Sequence, residues 1–237
     1  MKQENWYDVD TARGGDFSLS NAFPILMRKV FVWMTLALAI TGITAYGVAS
    51  SPALVGMIFS SKVMFWGLII AEFGLVMAIS GAINRLSLAT ATLLFILYSV
   101  VNGATLSVVF LAYSTTVIAK TFFITAGTFG AMALVGYTTK TDLTSIGKLL
   151  FMALIGIIIA SVVNIFVGSS GLDLIISYVG VLVFVGLTAY DTQKIKEMCR
   201  MAPDAGESMQ KLALLGSLSL YLDFVNLFLY LLRIFGN

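Results

Sequence analysis

The chain has no histidine and one cysteine, Cys199, and only 11% of its 237 residues are charged. Each shortage removes a class of chemistry. Without histidine there is no His-ligated zinc site, no Ser-His triad and no imidazole pH switch. A lone cysteine forms neither an internal disulfide nor a cysteine-based metal cage. Proton chemistry therefore falls to carboxylates, with tyrosine, cysteine and lysine as poorer substitutes. Soluble domains carry roughly a quarter charged residues. The low charge, 59% hydrophobic residues and a mean hydropathy of +0.98 together indicate an integral membrane protein. A net charge of +2 says nothing about partners. There is no basic cluster of the size that a nucleic-acid surface needs, and no second domain large enough to fold in water.

The start, MKQENWYDVDTARGGDFS, lacks the basic opening, apolar core and small-residue cleavage site of a signal peptide. Residues 1–24 are expected to form a polar, cytoplasmic tail, and 25–237 a single transmembrane domain of seven helices. A span needs about 20 predominantly apolar residues. That rule places helices at roughly 28–50, 62–83, 87–113, 118–137, 147–168, 174–191 and 211–233. Breaks fall at Ser50-Ser51-Pro52, Asn84-Arg85, Ser114-Thr115-Thr116, Thr138 to Asp142 and Gly168-Ser169-Ser170-Gly171. The longest connection, 192–210, is also the most charged. Glycines spread through the spans, such as Gly103, Gly180 and Gly186, are expected to let helices pack closely. No internal repeat is long enough to suggest an inverted-repeat transporter.

Basic residues set the expected orientation. With the amino terminus inside, eleven of the 14 lysines and arginines lie on the cytoplasmic side, and only Lys62, Lys120 and Arg233 lie outside. The carboxyl terminus is then external.

The last segment, Lys211 to Arg233, is long enough to span a bilayer yet carries Asp223 near its middle. Gly216, Ser219, Asp223, Asn226, Tyr230 and Arg233 recur at steps of three and four, which on a helix makes one polar stripe. Such a helix needs a polar groove supplied by other helices. Glu72, Arg85 and Asp191 are the other ionisable residues in or beside apolar segments. An aspartate at the centre of an inserted helix costs about 2.5–3.5 kcal/mol on insertion scales, and persists where it is paired, protonated or next to water. Its plainest role is a buried polar staple.

Two carboxylates brought together at a low-dielectric site cannot both ionise cheaply, so they titrate as a unit. Sharing one proton they bind each other; after losing it they repel, and one turns to an arginine or a cation. That behaviour suits pH gating, and suits a hard cation such as calcium that prefers oxygen ligands. One geometric difficulty stands. At 1.5 Å per residue Asp223 lies about 18 Å beyond Lys211, whereas Asp191 closes the sixth segment near the cytoplasmic edge. The two meet if the last helix begins in a water-filled cavity or the sixth ends inside the membrane.

The ending SLSLYLDFVNLFLYLLRIFG (217–236), together with TAYDTQKIK (188–196), resembles the Bax-inhibitor family of small membrane proteins, in its bacterial branch. The resemblance implies seven helices with the last one central and wrapped by the other six. It also implies a pH-sensitive calcium leak or channel in the bacterial inner membrane, controlled by a di-aspartyl pair. By motif match that pair is Asp191 and Asp223, expected as calcium ligands as well as pH sensors, with Arg85 as the competing partner. Glu72, Asn226 and Ser219 are expected to line a cation pathway. No catalytic residue and no cofactor is expected; the partners are the lipid bilayer, protons and calcium as transported ligand. A proton-coupled transporter and a regulatory subunit of a membrane complex remain as alternatives. An intramembrane aspartyl protease fits less well. Tyr190-Asp191 echoes half of such a site, but Asp223 stands in YLDF rather than Gly-x-Gly-Asp, and no Pro-Ala-Leu run follows.

Overall fold

The computed structural model describes residues 6–201 and 206–236, with side chains from Phe23 onward. Among these residues there are helices and no strands: α1 (Trp6–Ala49), α2 (Pro52–Phe59), α3 (Lys62–Ala82), α4 (Leu88–Leu106), α5 (Val108–Ala112), α6 (Thr115–Thr138), α7 (Thr144–Val167), α8 (Ser170–Arg200) and α9 (Glu207–Phe235). Seven stretches are long and apolar enough to cross a membrane, with α4 and α5 counting as one and α2 lying outside the set. The protein is an all-α integral membrane protein. Residues 1–5 of the expected tail lie outside the described residues; from Trp6 the backbone is helical and continues into the first span.

Serine decides where most spans begin. Ser51, Ser61, Ser87, Ser114 and Ser169 each accept, through the side-chain oxygen, a hydrogen bond from the N–H three residues on. A helix start leaves backbone N–H groups without intrahelical partners, and in a membrane such groups must be satisfied within the protein. Pro52 follows Ser51 at the first helical turn, where its missing N–H costs nothing. Gly168 ends α7 with φ +66, the left-handed conformation that glycine adopts most readily.

The packing is layered. α9 is the most buried span and packs directly on α1, α4, α6 and α8, while α3 packs on α4 and α7 on α8. Leu220, Tyr221 and Leu227 of α9 are completely buried. The apolar residues of α3 and α7, such as Val63, Ile70, Phe73, Ile165 and Phe166, are largely exposed, as suits outer helices whose solvent is lipid.

Two glycines fix the approach to the middle of α8. A Cβ at Gly136 on α6 would collide with the backbone carbonyl of Ala189, and one at Gly147 on α7 would enter the Tyr190 ring. α6 and α7 thus close on consecutive residues just before Asp191. A side chain at Gly136 must push α8 away, because backbone cannot yield as a flexible side chain does. Gly136→Val is expected to destabilise the protein by about 1–3 kcal/mol. Gly130→Val, at a position open for 4 Å, is expected to leave it unchanged. Thermal unfolding of both variants in detergent checks the contrast.

Candidate functional site

The polar stripe of α9 faces α8 along much of its length. The two helices run antiparallel, and most of the stripe residues meet α8 in turn. Gly216 lets Ile195 approach, Ser219 lies within hydrogen-bonding reach of Asp191, and Tyr230 covers Gly180 and stacks on Phe184 with centroids 5.8 Å apart. Arg233 pairs with Asp173 at 3.0 Å and lies over the Tyr230 ring. Asn226 turns its amide to its own helix, donating to the Leu222 carbonyl at 2.8 Å.

The sixth span does not close at Asp191: α8 continues for nine more residues to Arg200. The extension is amphipathic. Thr192, Ile195 and Cys199 are buried against the bundle, while Lys194, Glu197 and Arg200 are exposed. A hydropathy rule stops at the first charges, but a helix with one apolar stripe goes on. Asp191 therefore sits inside the α8–α9 seam rather than at its edge, which removes the difficulty of depth. Gln193 fastens the extension to the α6–α7 connection, accepting from the Leu143 N–H at 2.8 Å and donating to the Thr141 carbonyl at 2.8 Å.

A cavity of about 240 Å³ opens beside this seam, lined by Ser80 of α3, Asp191, Lys194, Ile195 and Met198 of α8, and Leu215 to Leu222 residues of α9 including Ser219. Asp223 lies one turn beyond Ser219, only 5% exposed, and its Oδ2 has no hydrogen-bond partner. Asp191 lies close enough to Asp223 for a charge on one to be felt by the other. A buried carboxylate oxygen without a donor is costly unless it carries a proton or meets a cation. Arg85 stands in the exposed turn after α3 and makes no ion pair with either aspartate. Lys194 lines the cavity instead, and its charge acts on Asp191.

Glu72 belongs to a different polar cluster. Its Oε2 accepts from the Asn102 amide at 3.2 Å, and Asn102 Oδ1 accepts from the Tyr221 hydroxyl at 2.9 Å. That hydroxyl also lies 2.7 Å from the Thr41 hydroxyl, which is 3.0 Å from the Ser99 carbonyl, so two hydroxyl protons serve three contacts. Tyr98 packs edge-on against Tyr221. Four spans are joined here by side chains that hydropathy treats as ordinary. Of the expected site residues, the structure brings together Asp191, Asp223 and Ser219; Glu72, Asn226 and Arg85 have other partners or none. Lys194, Ser80, Asn102, Tyr221 and Thr41 were absent from the expected site. Lys194 was the findable one, since a helix carried past Asp191 puts it on the same face one turn on.

Among the described residues no three His, Cys, Asp or Glu side chains lie close enough to share a metal. Asp191, Asp223 and Ser219 offer fewer oxygens than the 6–8 of a calcium site.

A family model described as "Inhibitor of apoptosis-promoting Bax1" matches residues 24–237. The inner membrane protein YbhL of Escherichia coli strain K12 is 51% identical over 212 residues, 89% of this chain and 91% of that protein. An uncharacterized protein of Borreliella burgdorferi is 51% identical over 211 residues, 89% and 91% of the two chains. Protein RP147 of Rickettsia prowazekii is 45% identical over 213 residues, 89% of each.

Tyr221→Phe removes both hydroxyl contacts and leaves Asn102 Oδ1 without its donor. The expected loss is about 1–2 kcal/mol. Equilibrium unfolding of the purified variant measures it, and an unchanged stability would mean that the network contributes nothing.

Proposed function

We propose for this chain, which belongs to the Bax-inhibitor family of membrane proteins, a passive, pH-sensitive calcium leak gated by the Asp191–Asp223 pair. The observation that carries the reading is the placement of Asp223. Its carboxylate is buried in the core of a membrane bundle, has one oxygen without a donor, and lies within the electrostatic reach of Asp191 beside a cavity. A pair that shares a proton holds α8 and α9 together. Once the proton leaves, the two carboxylates repel, and the seam can admit a cation that both attract. Calcium is the cargo in this reading, not a resident ion. Two carboxylates and a hydroxyl can pass a hard cation without trapping it.

The cavity lies at the end of the bundle that carries Lys29, Lys194, Lys196 and Lys211, where Lys29 donates to Gln210 and Lys196 to the Tyr137 carbonyl. The concentration of lysines there supports an amino terminus and a cavity on the cytoplasmic side of the inner membrane. Arg85 stands at the same end, and acting as competitor for an aspartate requires it to move inward in a second conformation.

Calcium flux into proteoliposomes across a pH series tests the reading. Asp223→Asn and Asp191→Asn keep the shape of the side chain but cannot ionise, so each is expected to flatten the pH dependence of the wild type. Equal flux and an unaltered pH profile in both variants would exclude the pair as the gate. Accumulation of the ion against its gradient under an imposed proton gradient would instead identify a coupled transporter.

A further inference from the structure

We propose that Lys194 is a built-in guard cation at the entrance of the α8–α9 cavity, repelling incoming cations and competing with them for Asp191. The inference rests on the reading of that cavity as the entrance to the aspartate pair, and it adds a residue that limits entry.

Four observations support it. Lys194 follows Asp191 by three residues on the continuous helix α8, and both line the cavity with Ser80 of α3 and Ser219 of α9. Burial orders the charges from water inward: Lys194 is exposed, Asp191 half-buried, and Asp223 buried. A cation from the aqueous side meets the ammonium first. Among charged side chains, Lys194 acts on Asp191, yet it forms none of the ion pairs among the described residues, which join Arg200 to Glu197, Lys211 to Glu207 and Arg233 to Asp173. Its Nζ rests 6.0 Å from the Tyr190 ring centroid, at the outer range of a cation–π contact. Three other lysines at this end are held: Lys29 by Gln210, Lys196 by the Tyr137 carbonyl and Lys211 by Glu207.

The chemistry follows from those positions. A lysine carries a compact charge on a flexible four-carbon stem, so Nζ can swing between the Tyr190 ring and the Asp191 carboxylate. While it stays near Asp191 it occupies the field that would attract an incoming cation. A divalent ion feels its repulsion twice as strongly as a monovalent one, so the guard slows calcium most.

Thiol accessibility tests this without requiring ion flux. Ser219→Cys, in a chain whose buried Cys199 is changed to Ala, places a reporter thiol on the cavity wall. Cationic, neutral and anionic methanethiosulfonate reagents are applied to full-length protein in liposomes, with and without Lys194→Gln. Neutralising Lys194 is expected to raise the cationic-to-anionic rate ratio by about fivefold, the Boltzmann factor for one unit charge acting on opposite reagents at this range in a wet cavity. Lys194→Arg should restore the original ratio, and the effect should fade between about 0.01 M and about 1 M salt. An unchanged ratio in Lys194→Gln, or a thiol inert to all three reagents, overturns the proposal. Melting temperatures equal within the set exclude a merely structural effect. Calcium flux is measured in parallel: flux that is equal in wild type, Lys194→Gln and Lys194→Arg refutes the guard alone. No flux from any of them refutes the leak while the thiol ratio still decides the charge effect.

Discussion

A carboxylate inside a membrane bundle has to be answered by something, and the seam between α8 and α9 is organised around that requirement. Asp223 lies at a depth where lipid offers no partner, with one oxygen free of any donor. The neighbouring helix answers with Asp191, a cavity and a lysine, rather than with an arginine locked in place. A staple would be expected to have its hydrogen bonds complete. In the proposed reading, the incomplete bonding at Asp223 gives the seam its two states; the tight crossings at Gly136 and Gly147 hold α6 and α7 against α8 just before Asp191.

The bundle separates this seam from a second polar region. Glu72, Asn102, Tyr221 and Thr41 form a linked set joining α1, α3, α4 and α9. Tyr221 stands two residues before Asp223 on the same helix, so α9 is held on one face by a linked network, in which Glu72 Oε1 is left without a donor, and carries on another the unpartnered Asp223 oxygen. At the far end of the seam, Arg233 and Asp173 close the contact with an ion pair that is about two-fifths exposed on each side, so it owes little to burial.

Much of this was legible in the sequence, for reasons that can be named. Seven spans are legible because a bilayer imposes a length on apolar segments, and two of the serines that cap them, Ser114 and Ser169, stand at the expected breaks. The polar stripe of α9 was visible because helical periodicity puts Ser219, Asp223 and Tyr230 on one face. The end of α8 escapes a hydropathy rule that treats charge as a stop, because Ile195 and Cys199 continue an apolar face beneath Lys194 and Glu197. The same rule puts Asp191 at the cytoplasmic edge, whereas the longer helix sets it within the seam. The Glu72 cluster was not legible as a unit, since Asn102, Tyr221 and Thr41 are single polar residues in apolar helices and only their packing joins them. Arg85 is expected as counter-ion by motif; it stands in an exposed turn, and Lys194 is the basic residue that lines the cavity.

The claim on which the account turns is that Asp191 and Asp223 act as one titrating unit. Carbon-13 NMR of aspartate-labelled protein in nanodiscs follows each carboxyl through a pH series. The account predicts that Asp223→Asn moves the midpoint of Asp191, and that Asp191→Asn moves that of Asp223. Two midpoints that each stay in place when the other carboxylate is removed would contradict it.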